Sequence, residues 1–300
     1  MRLQCCRWTT FCLHFGNTRE RHYFLIFESP GAILFKLGPI TVRWYGLMFV
    51  LGFFAASAMV MRLGKKWNFD TEELLNTAFW GFGGGVLGAR LYYVLLNYKH
   101  FLSEPLAALM IWTGGLSIHG GLIGGIIVGL SYCRFKKLPL LVTSDLMLSA
   151  MPLAQAIGRW GNFFNSEAFG RPVGDDFPLK LFIPQESRPW EFKEQKYFQP
   201  TFLYESVYDL LLFCLLYFGL AERLRRYPGL LACIYMAGYS IGRLIIEPMR
   251  TDSLLAFGIP AAIVTSTIIL IVSAVLSAVL VAHHRKRFSV SEKESLQAEQ

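Results

Sequence analysis

The chain has 300 residues, of which 54% are hydrophobic and only 17% charged, with a mean hydropathy of +0.40. Soluble domains carry about 25% charged residues, so an ordinary soluble protein is excluded. The apolar residues gather in blocks of about 20, the length that crosses a bilayer as a helix, and the net charge of +8 reads as a topology and lipid-headgroup signal, with no nucleic-acid partner implied.

Residues 1–30 read as an N-terminal extension. Arg2, Arg7, Arg19 and Arg21 alternate with apolar pieces too short for a signal peptide or a span, and no small-residue cleavage site follows them. The piece YFLIF at 23–27 suits the membrane interface; a start codon assigned too far upstream accounts for the extension equally well. Residues 31–287 predict one all-α polytopic membrane domain with seven transmembrane helices, at about 40–61, 75–96, 116–135, 140–157, 202–220, 230–246 and 255–282. Asp70 and Glu73 read as the cap and capping-box partner of the second. Between the fourth and fifth, about 163–200 is too polar to span and predicts a small outer-face cap. Residues 288–300 are mostly polar and predict a disordered cytoplasmic tail.

Basic residues cluster after every odd-numbered span: Arg62, Lys65 and Lys66; Arg134, Lys136 and Lys137; Arg223, Arg225 and Arg226; Arg285, Lys286 and Arg287. Short basic loops stay in the cytoplasm, so the N-terminus is expected outside and the C-terminus inside. Glycines at spacing four mark the second span (Gly81, Gly84, Gly85, Gly88) and the third (Gly120, Gly121, Gly124, Gly125, Gly129), which predicts close packing of that pair. Cys5, Cys6 and Cys12 crowd the N-terminus, while Cys133, Cys214 and Cys233 sit in or beside apolar blocks. No disulfide framework or metal spacing results, and small apolar fillers are the reading.

Charge inside or beside hydrocarbon is costly and usually functional, and it concentrates in a few places. Residues 158–172 read GRWGNFFNSEAFGRP. Arg159 offers a planar guanidinium for a phosphate or carboxylate, Asn162 and Asn165 offer amides, Glu167 a carboxylate, and Gly170 and Arg171 continue the stretch. His119, in SIHGG at the start of the third span, is a candidate proton acceptor; a hydrogen-bonded core histidine fits as well. In the sixth span Tyr239 precedes Arg243, Glu247 and Arg250, which stand at i, i+4 and i+7 of one helical stripe, with Pro248 able to shift the last off it. Tyr45 lies in WYG at the outer end of the first span, and Glu205 in QPTFLYE at the start of the fifth. By the charge rule all of these reach the outer face. Residue chemistry alone implies an outer-face membrane enzyme or carrier for an anionic amphiphile.

These motifs resemble the prolipoprotein diacylglyceryl transferase family of bacterial inner membranes. GRWGNFFNSE at 158–167 is similar to its long signature, HGG at 119–121 and WYG at 44–46 to its shorter motifs, Arg243, Glu247 and Arg250 to its R-xxx-E-xx-R pattern, and PTFLYE at 200–205 to its PT/S-x-LYE motif. Gln199 departs from the histidine found in many members. The resemblance covers about 30–282. It implies transfer of the diacylglyceryl group of phosphatidylglycerol to the lipobox cysteine thiol of a preprolipoprotein. His119, Arg159, Arg243 and Glu247 are then catalytic, and Tyr45, Asn162, Asn165, Glu167, Gly170, Tyr239 and Arg250 bind substrate, with no cofactor and no metal. The rival reading is a transporter or flippase for an anionic lipid, which shares the intramembrane charges; a membrane scaffold leaves the polar cluster without a purpose.

Overall fold

Apolar blocks become helices because, in lipid, each backbone N–H and C=O must be satisfied within its own segment. The computed structural model describes residues 11–15, 23–38, 40–111, 114–251, 255–256 and 258–298; Cys5, Cys6, Arg2, Arg7, Arg19 and Arg21 lie outside them. The helices are α1 (Trp44–Lys66), α2 (Thr71–Leu96), the short α3 (Tyr98–Ser103), α4 (Ile118–Phe135), α5 (Leu140–Asn165), α6 (Thr201–Cys214), α7 (Ala221–Leu224), α8 (Leu230–Ile246) and α9 (Ala261–Ala298). A π-turn over Leu215–Leu220 joins α6 to α7 without a break.

Among the described residues six segments are long and apolar enough to cross a membrane: Trp44–Lys66, Ile118–Phe135, Leu140–Asn165, Thr201–Leu224, Leu230–Met249 and Ala261–Lys286. α2 has the length, 26 residues, but its glycines and polar residues keep it out of that set. Leu87, Leu91, Leu122, Ile268 and Ile271 are all more than half exposed. So broad an apolar exterior is stable only against hydrocarbon, and the protein is a multi-pass membrane protein.

Several boundaries differ from the sequence reading. α5 runs through the GRWGNFFN stretch to Asn165 instead of ending near 157, so Arg159, Asn162 and Asn165 are helical. Its turn chemistry comes later, where Ser166 and Ala168 take positive φ of 54° and 55°. α8 stops at Ile246; a 3₁₀ turn over Glu247–Met249 follows, and Arg250 is extended. Pro248, which lacks an N–H, therefore ends the helical stripe rather than kinking it. Asp70 does cap α2, accepting from the Glu72 and Glu73 amides at 2.9 and 3.4 Å. The Glu73 carboxylate does not close a capping box: it accepts from the Tyr132 hydroxyl at 2.6 Å and pairs with Lys136 at 2.7 Å. α9 starts at Ala261 and continues to Ala298, where a disordered tail was expected from 288. Residues 288–298 hold neither proline nor glycine, and Glu, Lys, Leu, Gln and Ala among them favour helix.

The extension is the largest revision. β1 (Phe11–Phe15) and β2 (Tyr23–Glu28) join β5 (Leu179–Phe182) and β6 (Tyr197–Phe198) in one sheet of order β1-β2-β5-β6. β2 runs parallel to β5, with Leu25 opposite Leu179 and Phe27 opposite Leu181. Phe27 is 3% exposed and packs in a cluster with Phe163, Phe169, Leu181, Ile183, Phe198 and Phe202. The apolar run at 23–27 is thus a strand seated on the segment after α5, because its alternate residues have a hydrophobic partner there. A hairpin of β3 (Ile33–Leu37) and β4 (Ile40–Arg43) leads into α1, and a smaller one, β7 (Leu255–Ala256) with β8 (Ile259–Pro260), precedes α9.

A second core, at the opposite end of the bundle, joins Val60 and Leu63 of α1, Leu146 and Ala150 of α5, Leu212 and Phe213 of α6, and Leu231 and Tyr235 of α8. There the buried Asp145 of α5 accepts from the Gly229 and Ala232 amides at 2.7 and 2.8 Å. A carboxylate from one helix thereby satisfies the open N-terminal amides of another. α2 and α4 pack along their glycines: a Cβ on Gly88 would stand 2.9 Å from Gly124 Cα, and a Cβ on Gly84 2.9 Å from the Gly124 carbonyl oxygen. The packing expected from the glycine spacing is realised.

Candidate active site

Three helix ends converge near the sheet. α5 brings Arg159, the first three turns of α6 bring Glu205 and Asp209, and the end of α8 brings Arg243, with Glu247 and Arg250 just beyond it. Glu205 is the hub. Its Oε2 lies 2.6 Å from Arg159 Nη1, its Oε1 lies 2.5 Å from Arg243 Nη1 and 3.7 Å from Arg250 Nη1, and the residue is 3% exposed. Arg243 also pairs with Glu247, one turn on. Asp209 stands one turn after Glu205, with Oδ2 3.6 Å from Arg159 Nε. Three guanidiniums and three carboxylates thus form one network. Taking such charges out of water costs several kcal/mol per ion, and hydrophobic residues of similar volume often serve stability as well or better. Stability alone therefore does not account for the network; a task that needs fixed positive charge does.

The GRWGNFFNSE stretch builds the wall beside it. After α5 ends at Asn165, the Glu167 amide donates to the Asn162 carbonyl at 3.1 Å, folding Glu167 back over the helix. Its Oε1 then accepts from Asn162 Nδ2 at 2.8 Å and Asn165 Nδ2 at 3.4 Å. Two non-glycine residues with positive φ inside three positions mark a backbone held against its preference, a feature that gathers at functional sites. Tyr45, the second residue of α1, lays its ring on Gly161, where an added Cβ would be 2.8 Å from Tyr45 Cδ2. Next to it Trp44 stacks on Phe164 with centroids 4.5 Å apart. WYG therefore docks the start of α1 on the end of α5. Tyr239 stacks on Tyr235 at 6.2 Å.

Gly170 fills a packing role. A Cβ there would be 2.8 Å from both Gln199 Cβ and Thr201 Cγ2, its amide donates to the Gln199 carbonyl at 2.9 Å, and it bridges to Arg250. Arg171 donates to the Pro248 carbonyl at 3.1 Å. An open groove of about 470 Å³ beside the network is lined by Arg171, Pro172, Glu191, Phe192, Pro248, Arg250 and Thr251.

His119 is placed apart. It is the second residue of α4, exposed, with its ring 6.4 Å from that of Tyr92 on α2. Among the described residues no hydrogen bond or ion pair joins it to the arginines. The loop before it is fixed by a residue the sequence reading passed over. Arg90 of α2, 7% exposed, donates to the carbonyls of Ala107, Ala108, Gly114 and Gly115 at 2.5 to 3.0 Å. Asp209 was passed over as well; a carboxylate one turn after Glu205 inside an apolar span was the signal for it.

Fold and site together define a multi-pass membrane protein with a buried arginine–carboxylate network at one end of its bundle. The family model described as prolipoprotein diacylglyceryl transferase matches residues 32–279, and the chain belongs to that family. It is 43% identical over 235 residues to the phosphatidylglycerol–prolipoprotein diacylglyceryl transferase of Synechococcus elongatus, covering 77% of this chain and 81% of the relative. It is also 43% identical over 268 residues to that of Thermotoga maritima, covering 85% and 89%, and 40% identical over 255 residues to that of Fervidobacterium nodosum, covering 85% and 86%.

Proposed function

We infer that the protein transfers the diacylglyceryl group of phosphatidylglycerol to the lipobox cysteine of a preprolipoprotein, forming a thioether and releasing glycerol phosphate. The names of the relatives supply both substrates. The observation that carries the reading in this chain is the buried Glu205 carboxylate holding Arg159 and Arg243 side by side.

The chemistry follows from the groups present. A thiol attacks only as thiolate. Its sulfur bonds to the glyceryl carbon, and the bond from that carbon to the phosphate oxygen breaks, the electron pair leaving on glycerol phosphate. Arg159 and Arg243 hold the phosphate and stabilise the charge gathering on it, with Arg250 in support. Glu247, paired with Arg243, orients that guanidinium. Asn162, Asn165 and Glu167 meet the glycerol headgroup, Tyr45 and Tyr239 line the approach, and Gly170 seats Arg250. His119 takes the thiol proton; its exposure at the start of α4 leaves it free to meet a peptide entering from outside the network.

Residues 31–287 form the transferase domain in a bacterial inner membrane. α2 makes a seventh crossing beside α4, the glycine packing giving it a partner in lipid. The basic clusters at the ends of α1, α4 and α7, and at 285–287 within α9, favour a cytoplasmic C-terminus, an outer N-terminal side, and a site at the outer face beneath a cap built on β5 and β6.

Labelled phosphatidylglycerol incubated with a lipobox peptide and the purified protein tests the activity: thioether-linked peptide and glycerol phosphate appear in equal amounts. Movement of the lipid between leaflets without a covalent product would instead favour a flippase.

A further inference from the structure

Arg159 is gripped from two sides, and only one grip belongs to the Arg159–Glu205–Arg243 bridge. Glu205 takes Nη1 at 2.6 Å. Asp209 faces Nε, with Oδ2 3.6 Å away, beyond hydrogen-bond range. That Oδ2 has no hydrogen-bond partner among the described residues, although Asp209 is 3% exposed. A buried carboxylate needs compensation, and an orphaned oxygen in a native site asks for a reason.

The surroundings narrow the reason. Glu205 and Asp209 stand at i and i+4 on α6, one face of one helix, and both turn toward α5. Tyr208, the chain neighbour of Asp209, donates its hydroxyl to the Gly238 carbonyl at 2.6 Å, which locks this turn of α6 onto α8. Helix α6 is thus held in register by a contact that does not involve Asp209, so the carboxylate is not needed to hold it there. It carries one charge, aimed at one nitrogen of one arginine.

We propose that Asp209 is a positioning residue for Arg159: it fixes the rotation of the guanidinium about the Glu205 contact, so that the remaining N–H groups face the phosphate that leaves. Arg159 is attached to its helix by a flexible stem, and a single contact at Nη1 leaves the plane of the fork free to turn. A second anion at Nε removes that freedom before substrate arrives. The role rests on the reading of Arg159 as the phosphate-holding group. It extends that reading by adding a residue that acts through Arg159 and touches no substrate. Misplacement of a catalytic group by about 1 Å costs on the order of 100-fold in rate, which sets the size of the effect.

The test is kinetic, with purified protein, labelled phosphatidylglycerol and a lipobox peptide. Asp209→Asn preserves shape and removes the charge. Its kcat is expected to fall about 10- to 100-fold, with the KM for the peptide within twofold of the wild-type value and an unchanged thermal midpoint. Asp209→Glu, which keeps the charge, is expected to regain at least a third of the lost rate on a logarithmic scale. A kcat for Asp209→Asn within twofold of wild type overturns the inference. So does a loss that follows the amount of folded protein, failure of Asp209→Asn to fold, or a glutamate variant no better than the asparagine one. Arg159→Ala is run beside them. Near-normal transfer by that variant removes the phosphate-holding role and the Asp209 inference together, whereas an inactive Arg159→Ala beside an unaffected Asp209→Asn removes only the latter.

Discussion

The ring of Tyr45 occupies the place where Gly161 would carry a side chain: a Cβ built there comes within 2.8 Å of Tyr45 Cδ2 and 3.3 Å of Cε2. Gly161 sits inside α5, where alanine is favoured over glycine by about 1 kcal/mol. Gly161→Ala therefore separates helix stability from site geometry. The expected outcome is a thermal midpoint in detergent at or near that of the wild type, with transfer reduced about 10-fold or more as Tyr45 is pushed from its seat. Unchanged transfer by the alanine variant would show that the seat of Tyr45 does not matter to the reaction.

Glu205→Gln keeps the volume of the hub and removes its charge. Arg159 and Arg243 then face each other across a neutral amide, and breaking a buried pair by removing one partner typically costs about 3–5 kcal/mol. Transfer is expected to fall at least about 100-fold, with a lowered unfolding midpoint, read by the peptide assay and by thermal unfolding of the same preparation. Glu247→Gln, which leaves Arg243 its contact with Glu205, is expected to cost less on both measures. The reverse order would move the hub to Glu247.

Much of this is legible in the sequence. Block length gave the helices, glycine spacing gave the α2–α4 contact, and the charges at the ends of apolar runs marked Arg159, Arg243 and Glu247. What escaped shares a physical cause: it depends on contacts between segments far apart in the chain. The pairing of Glu205 with two arginines requires α5, α6 and α8 to meet at one level. Asp209 acquires its partner only where α5 brings Arg159 to it. The strand at 23–28 looked like an appendage because its partner β5 lies about 150 residues away. Arg250 stayed with the network although its helical stripe broke at Pro248, since the isolated bridge to Gly170 brings it back.

The glycine seam between α2 and α4 bears a separate load. At Gly124 an added Cβ would lie 2.9 Å from Gly88 Cα and closer still to the Gly84 carbonyl oxygen, so no side chain fits without parting the helices. Small-residue seams hold helices together in lipid through close packing. Gly124→Leu is expected to lower the unfolding midpoint by several degrees and to reduce transfer, because His119 and Arg90 ride on this pair. Gly83→Leu is the control: a Cβ at Gly83 meets nothing within 4 Å, and that variant is expected to behave as the wild type. Equal damage from both would locate the effect in helix propensity rather than in the seam.

Phe27 puts a weight on the N-terminal strand that its sequence position hides. Its ring meets Phe163 and Phe202 edge-on, with centroids 6.3 and 5.9 Å away; Phe163 lies on α5 two residues before its end, and Phe202 lies three residues before Glu205. Two residues on, the Ser29 hydroxyl donates to the Phe164 carbonyl at 2.9 Å. Strand β2 is thus coupled to both helices that supply the Arg159–Glu205 pair. Truncating a buried phenylalanine to alanine typically costs about 3–5 kcal/mol, and here the loosened elements include the starts and ends that aim the network. Phe27→Ala is expected to increase cleavage by added protease between 170 and 200 and to lower transfer several-fold. Phe35→Ala, at a residue 49% exposed on β3, should do neither. Removal of residues 1–28 is the stronger form of the test, since it takes out β2 and exposes one edge of β5. A shortened protein that transfers at the wild-type rate and resists protease equally would return the strand to the status of an appendage.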